Sequence, residues 1–177
     1  MAACGLMVLA ARGMADDPKT WDKAGDLGGG ALLVAGIGSS FVQDGRQGLR
    51  HAEITLGALA FDAGFTEGLK ALTREKRPDA SGHDSFPSLH ASLTFAVAAA
   101  ESYYHPSQAP FWFGGAALVS YSRIPAHKHY WQDVVAGAVL GYGCGQLSVS
   151  NPRGWLFGPS LNHGHSAGVG MSFGTYF

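Results

Sequence analysis

Charged side chains are scarce in this sequence, and neither sign is in clear excess. Asp, Glu, Lys and Arg make up 14% of its 177 residues, whereas about 25% is typical of a soluble domain. The formal net charge is −1, and because a nucleic-acid-binding domain needs a basic surface, we expect no nucleic-acid partner. The two cysteines, Cys4 and Cys144, are too few for a disulfide framework and do not have the spacing of a metal site.

Apolar residues and glycine take the place of the missing charge. The apolar fraction is 46%, and glycine contributes 26 residues. Charge-free runs occupy residues 27–43, 102–122 and 134–152, close to the roughly 20 apolar residues that a membrane-spanning helix needs. Gly, Ser, Tyr and Pro dilute these runs, so a compact bundle whose helices bury one another is the alternative. The composition leans towards membrane association, which we therefore expect.

The hydrophobic pattern predicts one all-α domain. Residues 16–26 are polar and are predicted to form a link, and in residues 52–72 apolar side chains recur at three- and four-residue intervals, as on one face of a helix. Further helical segments are predicted at 27–43, at 88–104, from Pro110 onward and at 130–149. We expect a helical bundle of about five or six helices across residues 16–150, with the functional site at the helix ends.

The two ends of the chain differ from this domain in composition. Residues 1–15 resemble a short signal peptide, in which Gly13-Met14-Ala15 provides a small-x-small cleavage site but a basic leading region is missing. This pattern favours export, with an unprocessed N-terminus as the alternative. Residues 151–177 are rich in Gly, Asn and Pro, and the alternating apolar residues of AGVGMSFGTYF predict a short extended appendage, as a strand or a hairpin, with a loose tail as the alternative.

Ionisable residues are concentrated in SRIPAHKHYWQD, residues 122–133. His129 and Asp133 are four residues apart, which places them on the same face of a helix. A carboxylate in that position can accept the Nδ1 proton of the imidazole and leave the Nε2 lone pair free, as a nucleophilic or basic histidine requires. His127 has Trp131 at the corresponding position, so His129 is the better candidate. Alone, such a pair is more often a simple surface hydrogen bond.

A second stretch, KALTREKRP, contains Lys70 and, seven residues later, Arg77 followed by Pro78. The planar fork of arginine matches phosphate oxygens, and lysine adds a compact positive charge. Pro78 favours an extended conformation at Arg77. On its own, this stretch is more typical of an ordinary basic helix end.

A third stretch, FPSLH, places Ser88 at the predicted start of a helix. Free amide N–H groups and a partial positive charge make a helix N-terminus a natural anion site, to which the Ser88 hydroxyl can contribute. His90, within the first turn, is in a position to donate a proton to the same anion. A plain capped helix with a half-buried histidine is the alternative.

Together the three stretches suit metal-independent phosphoryl transfer through a phosphohistidine. Lys70, Arg77 and Arg123 would hold the charge on the transferred phosphoryl group. His129 would attack in line, and His90 would protonate the leaving oxygen and later activate water. We therefore expect neither a metal nor another cofactor.

In this order, Lys70-x6-Arg77-Pro78, Pro87-Ser88-Leu89-His90 and Ser122-Arg123-x5-His129-x3-Asp133 resemble the three motifs of the type 2 phosphatidic acid phosphatase (PAP2) superfamily. That superfamily includes lipid phosphate phosphatases, undecaprenyl pyrophosphate phosphatases, acid phosphatases and vanadium haloperoxidases. The motifs span residues 70–133, and the helical pattern agrees with the bundle of the family.

The resemblance implies a role for each residue of the motifs. His129 would be the nucleophile, Asp133 its partner and His90 the general acid. Five residues would bind the phosphoryl group: Lys70, Arg77, Ser88, Leu89 and Arg123. Leu89 departs from the glycine usual in the family; its amide is retained, but its bulk is expected to modify specificity or rate.

The resemblance leaves several functions open. We expect a phosphatase that acts on a phosphorylated lipid, as a monoester or pyrophosphate, in a bacterial inner membrane with the active site facing the periplasm. A soluble periplasmic acid phosphatase of broad specificity is one alternative. A haloperoxidase that holds vanadate in the same pocket is another, and a non-catalytic lipid-phosphate binder is a third.

Overall fold

The computed structural model of the chain describes residues 17–151 and the backbone of residues 157–160 and 168–171. The described residues contain five α-helices: α1 (Pro18–Gln43), α2 (Gly48–Thr73), α3 (Leu89–Tyr104), α4 (Ala109–Ser122) and α5 (Trp131–Ser150). Short 3₁₀ turns at Gly45–Gln47 and Pro106–Gln108 follow α1 and α3. The all-α bundle predicted from the sequence is confirmed, whereas the predicted signal peptide, residues 1–15, lies outside the described residues.

The start of α1 corrects the prediction of a polar link at residues 16–26. The helix begins at Pro18, because the Asp17 side chain accepts a hydrogen bond from the amide of Lys19 at 3.0 Å and proline fits the first helical position. The polar segment therefore forms the first turns of α1. It carries Asp22 and Asp26 four residues apart on one face of a helix.

The other boundaries lie close to those predicted. Ser88 is the N-cap residue of α3, Pro110 lies in the first turn of α4, and α2 begins four residues before the predicted segment 52–72. In the tail, β1 (Phe157–Ser160) and β2 (Gly168–Met171) form an antiparallel pair with Phe157 opposite Met171. This confirms an extended hairpin; the rest of the tail after Asn151 lies outside the described residues.

Helix α3 packs against all four other helices and forms the centre of the bundle. A core cluster of Leu32, Val97, Ala98, Trp112 and Ala116 joins it to α1 and α4. The closest neighbour of α3 is α5. A Cβ atom added at Gly137, Gly141 or Gly145 would come within 1.8–2.6 Å of a backbone carbonyl oxygen of α3 or its N-cap. The absence of side chains at these three positions is what allows the two helices to approach so closely.

The alternating helix directions bring five termini to one end of the bundle. These are the starts of α1, α3 and α5 and the ends of α2 and α4, joined by the loops at residues 74–88 and 123–130. All three sequence motifs lie at this end. Within the described part of the chain, α1 is the one helix that is long and apolar enough to cross a membrane.

Candidate active site

His129 is held in the loop between α4 and α5, with only 3% of its surface exposed. Its Nδ1 atom lies 2.8 Å from the carbonyl oxygen of Ser85. Because a carbonyl only accepts hydrogen bonds, Nδ1 carries the proton and Nε2 keeps its lone pair. His127, two residues earlier, has a positive φ of 55° and is exposed to solvent. Of these two histidines, the buried one is therefore His129, which was predicted to be the nucleophile.

The acceptor of the Nδ1 proton differs from the one predicted. Oδ2 of Asp133 lies 3.7 Å from Nδ1 of His129, beyond hydrogen-bonding distance. Instead, this oxygen accepts hydrogen bonds from the Ser85 hydroxyl and, at 2.9 Å, from the amide of Tyr130. Asp133 is completely buried. It therefore orients His129 by fixing the residue whose carbonyl contacts the ring, and it places a negative charge close to the imidazole.

Burial and nearby cations keep His129 neutral. Loss of solvent around the ring, followed by the positive charges of Lys70 and Arg77, lowers the pKa of His129 to about 3. The hydrogen bond to Ser85 acts in the opposite direction but does not outweigh them. At neutral pH the imidazole is therefore the unprotonated form that a nucleophile requires.

Lys70 and Arg77 meet at Asp84, in the loop before α3. The ammonium group of Lys70, at the end of α2, donates a hydrogen bond to the Asp84 carbonyl oxygen. The Arg77 guanidinium donates two hydrogen bonds to the Asp84 carboxylate, at 2.8 and 2.7 Å. This pairing lowers the pKa of Asp84. Asp84 thus positions both predicted phosphate-binding cations, and its neighbour Ser85 contacts His129.

Arg123 connects the nucleophile loop to α1. Its side chain is 4% exposed and pairs with Asp22 at 2.8 Å and with Asp26 at 3.2 Å. Its backbone carbonyl accepts a hydrogen bond from the amide of His129 at 3.3 Å. The backbone of Arg123 is therefore bonded to that of the predicted nucleophile, and its positive charge contributes to the lowered pKa of His129.

The start of α3 is fixed against α5. The amide of Ser88 donates a hydrogen bond to the Asp133 carbonyl at 3.0 Å. The Ser88 hydroxyl is buried and has no hydrogen-bond partner among the described residues. Leu89 is half-buried at the first helical position. His90 follows it, with Nε2 2.9 Å from Oδ1 of Asp26.

All eight residues predicted from the motifs therefore lie in one connected network at the same end of the bundle. Sequence reasoning missed four others: Asp22, Asp26, Asp84 and Ser85. The helix-start signal Asp17-Pro18 could have placed the first two on a helix, but nothing in the sequence shows that this helix reaches Arg123. No three His, Cys, Asp or Glu side chains of residues 17–151 are arranged to hold a metal ion.

A comparison with protein families finds that residues 71–155 match the model of the PAP2 superfamily. This match supports membership of the chain in the PAP2 superfamily. Its fold is similar to the crystal structure of Aquifex aeolicus LpxE, with a TM-score of 0.63 and 24% identity over 76% of this chain and 86% of the other. A search of the curated proteins found no match. Membership in this PAP2 superfamily supports a hydrolase of the phosphatase type.

Proposed function

We propose that this PAP2 protein hydrolyses a phosphate monoester or pyrophosphate of a lipid, without a metal, through a phosphohistidine intermediate. The observation that carries this proposal is the state of His129. The ring is buried and neutral, its Nδ1 proton is held by Ser85, and its Nε2 lone pair is free beside three cations. This is the arrangement that an attacking imidazole requires.

In the first step, Nε2 of His129 attacks phosphorus, the N–P bond forms and the P–O bond to the leaving group breaks. His90 gives its Nε2 proton to the departing oxygen. Lys70, Arg77 and Arg123 stabilise the negative charge spread over the equatorial oxygens. The imidazole becomes positively charged as it bonds to phosphorus, and the buried carboxylate of Asp133 stabilises that charge.

In the second step, the neutral His90 takes a proton from a water molecule, whose oxygen attacks phosphorus. The N–P bond breaks, inorganic phosphate leaves, and His129 recovers its lone pair. His90 is protonated again, so the cycle ends with both histidines in their starting states. No metal takes part in either step.

A small apolar cavity beside His90 favours a lipid as the leaving group. It has a volume of about 100 Å³ and is lined by Gly29, Gly30, Leu33, Leu89, His90, Leu93 and Thr94. Because His90 protonates the leaving oxygen, the cavity lies on the leaving-group side of phosphorus. Leu89, in the position that the family usually fills with glycine, contributes to its apolar wall.

The outer surface of the bundle supports a location in a membrane. The charged side chains that are exposed on helices α1 to α5 lie towards the helix ends. Two other carboxylates, Asp62 and Glu101, are fully buried. Large apolar side chains are exposed in the band between these ends and include Leu27, Val34, Phe41, Leu56, Leu118 and Val139. Tyr121, Tyr130 and Trp131 are exposed at the active-site end, where an interface would favour them. The periplasmic orientation stays a prediction.

A hydrolysis panel on purified protein tests the function. The substrates are phosphatidic acid, phosphatidylglycerol phosphate, undecaprenyl pyrophosphate, lipid A and p-nitrophenyl phosphate, each assayed with chelator present. We expect phosphate release from a lipid substrate, and its loss in His129→Ala. Labelled substrate should leave phosphate on the wild-type protein that is stable in alkali and released by acid. Preference for p-nitrophenyl phosphate would indicate a broad acid phosphatase instead, and full activity in His129→Ala would overturn the assignment.

The apolar cavity is tested separately with two glycines of α1. A Cβ atom at Gly30 or at Gly38 would meet no other atom within 4 Å, so both positions accept a larger side chain. Gly30→Leu fills the cavity, whereas Gly38→Leu lies two turns further along the helix. We expect Gly30→Leu to lower kcat/KM for the lipid much more than for p-nitrophenyl phosphate. An equal effect of the two variants would contradict a lipid site in this cavity.

A further inference from the structure

One carboxylate oxygen joins the general acid to a phosphate-binding cation. Oδ1 of Asp26 lies 2.9 Å from Nε2 of His90 and 3.2 Å from Nη1 of Arg123. The Asp26 side chain is 59% exposed and stands at the mouth of the site, whereas that of Arg123 is 4% exposed. The oxygen thus occupies the space in front of the two groups that must contact the substrate.

We propose that Asp26 is a positioning residue for the general acid: it favours the protonated form of His90 and orients the ring in the free enzyme, then yields its place to the leaving-group oxygen. This rests on the proposed phosphatase function. The proton stays on Nε2 of His90 while Asp26 withdraws, and it moves to the leaving oxygen only as the P–O bond breaks. Because Asp26 is exposed and is attached to α1, it can withdraw towards solvent without disturbing the buried residues.

The charges around His90 show why such a partner is needed. Loss of solvent and the positive charge of Arg123 lower the pKa of His90, whereas Asp26 and, less strongly, Asp22 raise it. A general acid must carry its proton when the substrate arrives. Asp26 offsets part of this lowering, and its removal would shift His90 further towards the neutral form.

Asp22 provides a matched comparison on the same helix. It pairs with Nη2 of Arg123 at 2.8 Å and lies 3.9 Å from the Lys128 ammonium group, and it makes no ion pair with His90. Asp22→Asn therefore removes one negative charge from Arg123 and leaves the partner of His90 in place. Asp26→Asn removes one negative charge from Arg123 and also removes the carboxylate partner of His90.

The experiment measures kcat/KM against pH for wild type, Asp26→Asn, Asp22→Asn and Asp26→Glu. We expect the alkaline limb, which reports loss of the His90 proton in the free enzyme, to move down by about one pH unit in Asp26→Asn. KM for the anionic substrate should fall in the same variant, since a competing carboxylate is gone. Asp26→Glu should restore the limb, and Asp22→Asn should leave it within a few tenths of a unit of wild type.

An NMR titration of His90 separates this inference from the proposed function. The ring signals of His90 are followed against pH in unliganded wild type and Asp26→Asn, so no turnover is needed. A lower titration midpoint in Asp26→Asn supports the pairing even if no substrate is hydrolysed, in which case only the phosphatase proposal fails. Equal midpoints in the two proteins, or an equal shift of the alkaline limb in Asp22→Asn, would overturn the role of Asp26.

Discussion

The Nδ1 atom of His129 lies 2.8 Å from the carbonyl oxygen of Ser85. The Ser85 hydroxyl in turn donates to Asp133, whose carboxylate is 3.7 Å from the same ring nitrogen. The Ser85 carbonyl and the Asp133 carboxylate therefore share the role at His129 that the sequence assigned to Asp133 alone. The carbonyl fixes the tautomer, while in the proposed mechanism the carboxylate would stabilise the positive charge that develops on the ring.

The first prediction separates these two contributions. Asp133→Asn removes the negative charge but can still accept both hydrogen bonds, whereas Ser85→Ala removes one hydrogen bond and retains the charge and the carbonyl. We expect Asp133→Asn to reduce kcat by about 100-fold or more and Ser85→Ala by about tenfold. Steady-state kinetics on folded protein measures both. The reverse order would show that the hydrogen bond to Ser85 matters more than the charge.

The second prediction concerns the acid side of the pH profile. Because the pKa of His129 is lowered to about 3, the free enzyme keeps a neutral nucleophile well below the ordinary histidine pKa. We expect no loss of kcat/KM near pH 6.5 from protonation of His129; that loss should begin only below about pH 4. An acid limb centred near 6.5 that persists in the Asp26→Asn and Asp84→Asn variants would contradict a buried, neutral His129.

The same pKa makes a prediction about stability. The unfolded chain takes up a proton on His129 as pH falls below about 6.5, whereas the folded protein does not until about pH 3. The free energy of unfolding therefore decreases as the pH falls from about 6.5 to about 3, because the unfolded state binds more protons than the folded state in this range. Denaturant unfolding at pH 7 and pH 4.5 should show a smaller loss of stability in His129→Gln than in wild type. An equal loss in both proteins would show that the ring at position 129 titrates normally when folded.

Much of the site was predictable because its signals are local. Pro87 and Ser88 mark the start of α3, and the four-residue spacing places Asp133 in the first turn of α5 and His129 in the loop just before that helix. The acceptor at Ser85 and the acidic pair on α1 were not predictable. Their contacts depend on how the loop at 74–88 folds back on α5 and how α1 docks beside Arg123, and neither arrangement follows from the pattern of nearby residues.

A fourth prediction concerns the pairing of Arg77 with Asp84. The carboxylate binds both arms of the guanidinium fork, at 2.8 and 2.7 Å, and its side chain is 50% exposed. An anionic substrate must compete with it for Arg77. We expect Asp84→Asn to strengthen inhibition by inorganic phosphate by no more than about fivefold, since an exposed ion pair contributes up to about 1 kcal/mol. Arg77→Lys should weaken inhibition, because lysine cannot bind two oxygens in one plane. Unchanged phosphate inhibition in both variants would remove Arg77 from the phosphate site.

The last prediction tests the contact between α3 and α5 that brings Asp133 to Ser88. A Cβ atom at Gly141 would lie 1.8 Å from the carbonyl oxygen of Ser92, whereas one at Gly143, on the same helix, would meet nothing within 4 Å. Gly141→Ala forces the two backbones apart and should lower the free energy of unfolding by about 1–3 kcal/mol. Gly143→Ala should be neutral or raise it by up to about 1 kcal/mol, because alanine favours the helix. Thermal unfolding in detergent compares the two variants.

Since the displaced α5 also carries Asp133, we expect Gly141→Ala, but not Gly143→Ala, to lose activity at temperatures where both variants remain folded. Equal stability and equal activity of the two variants would contradict the close contact between α3 and α5.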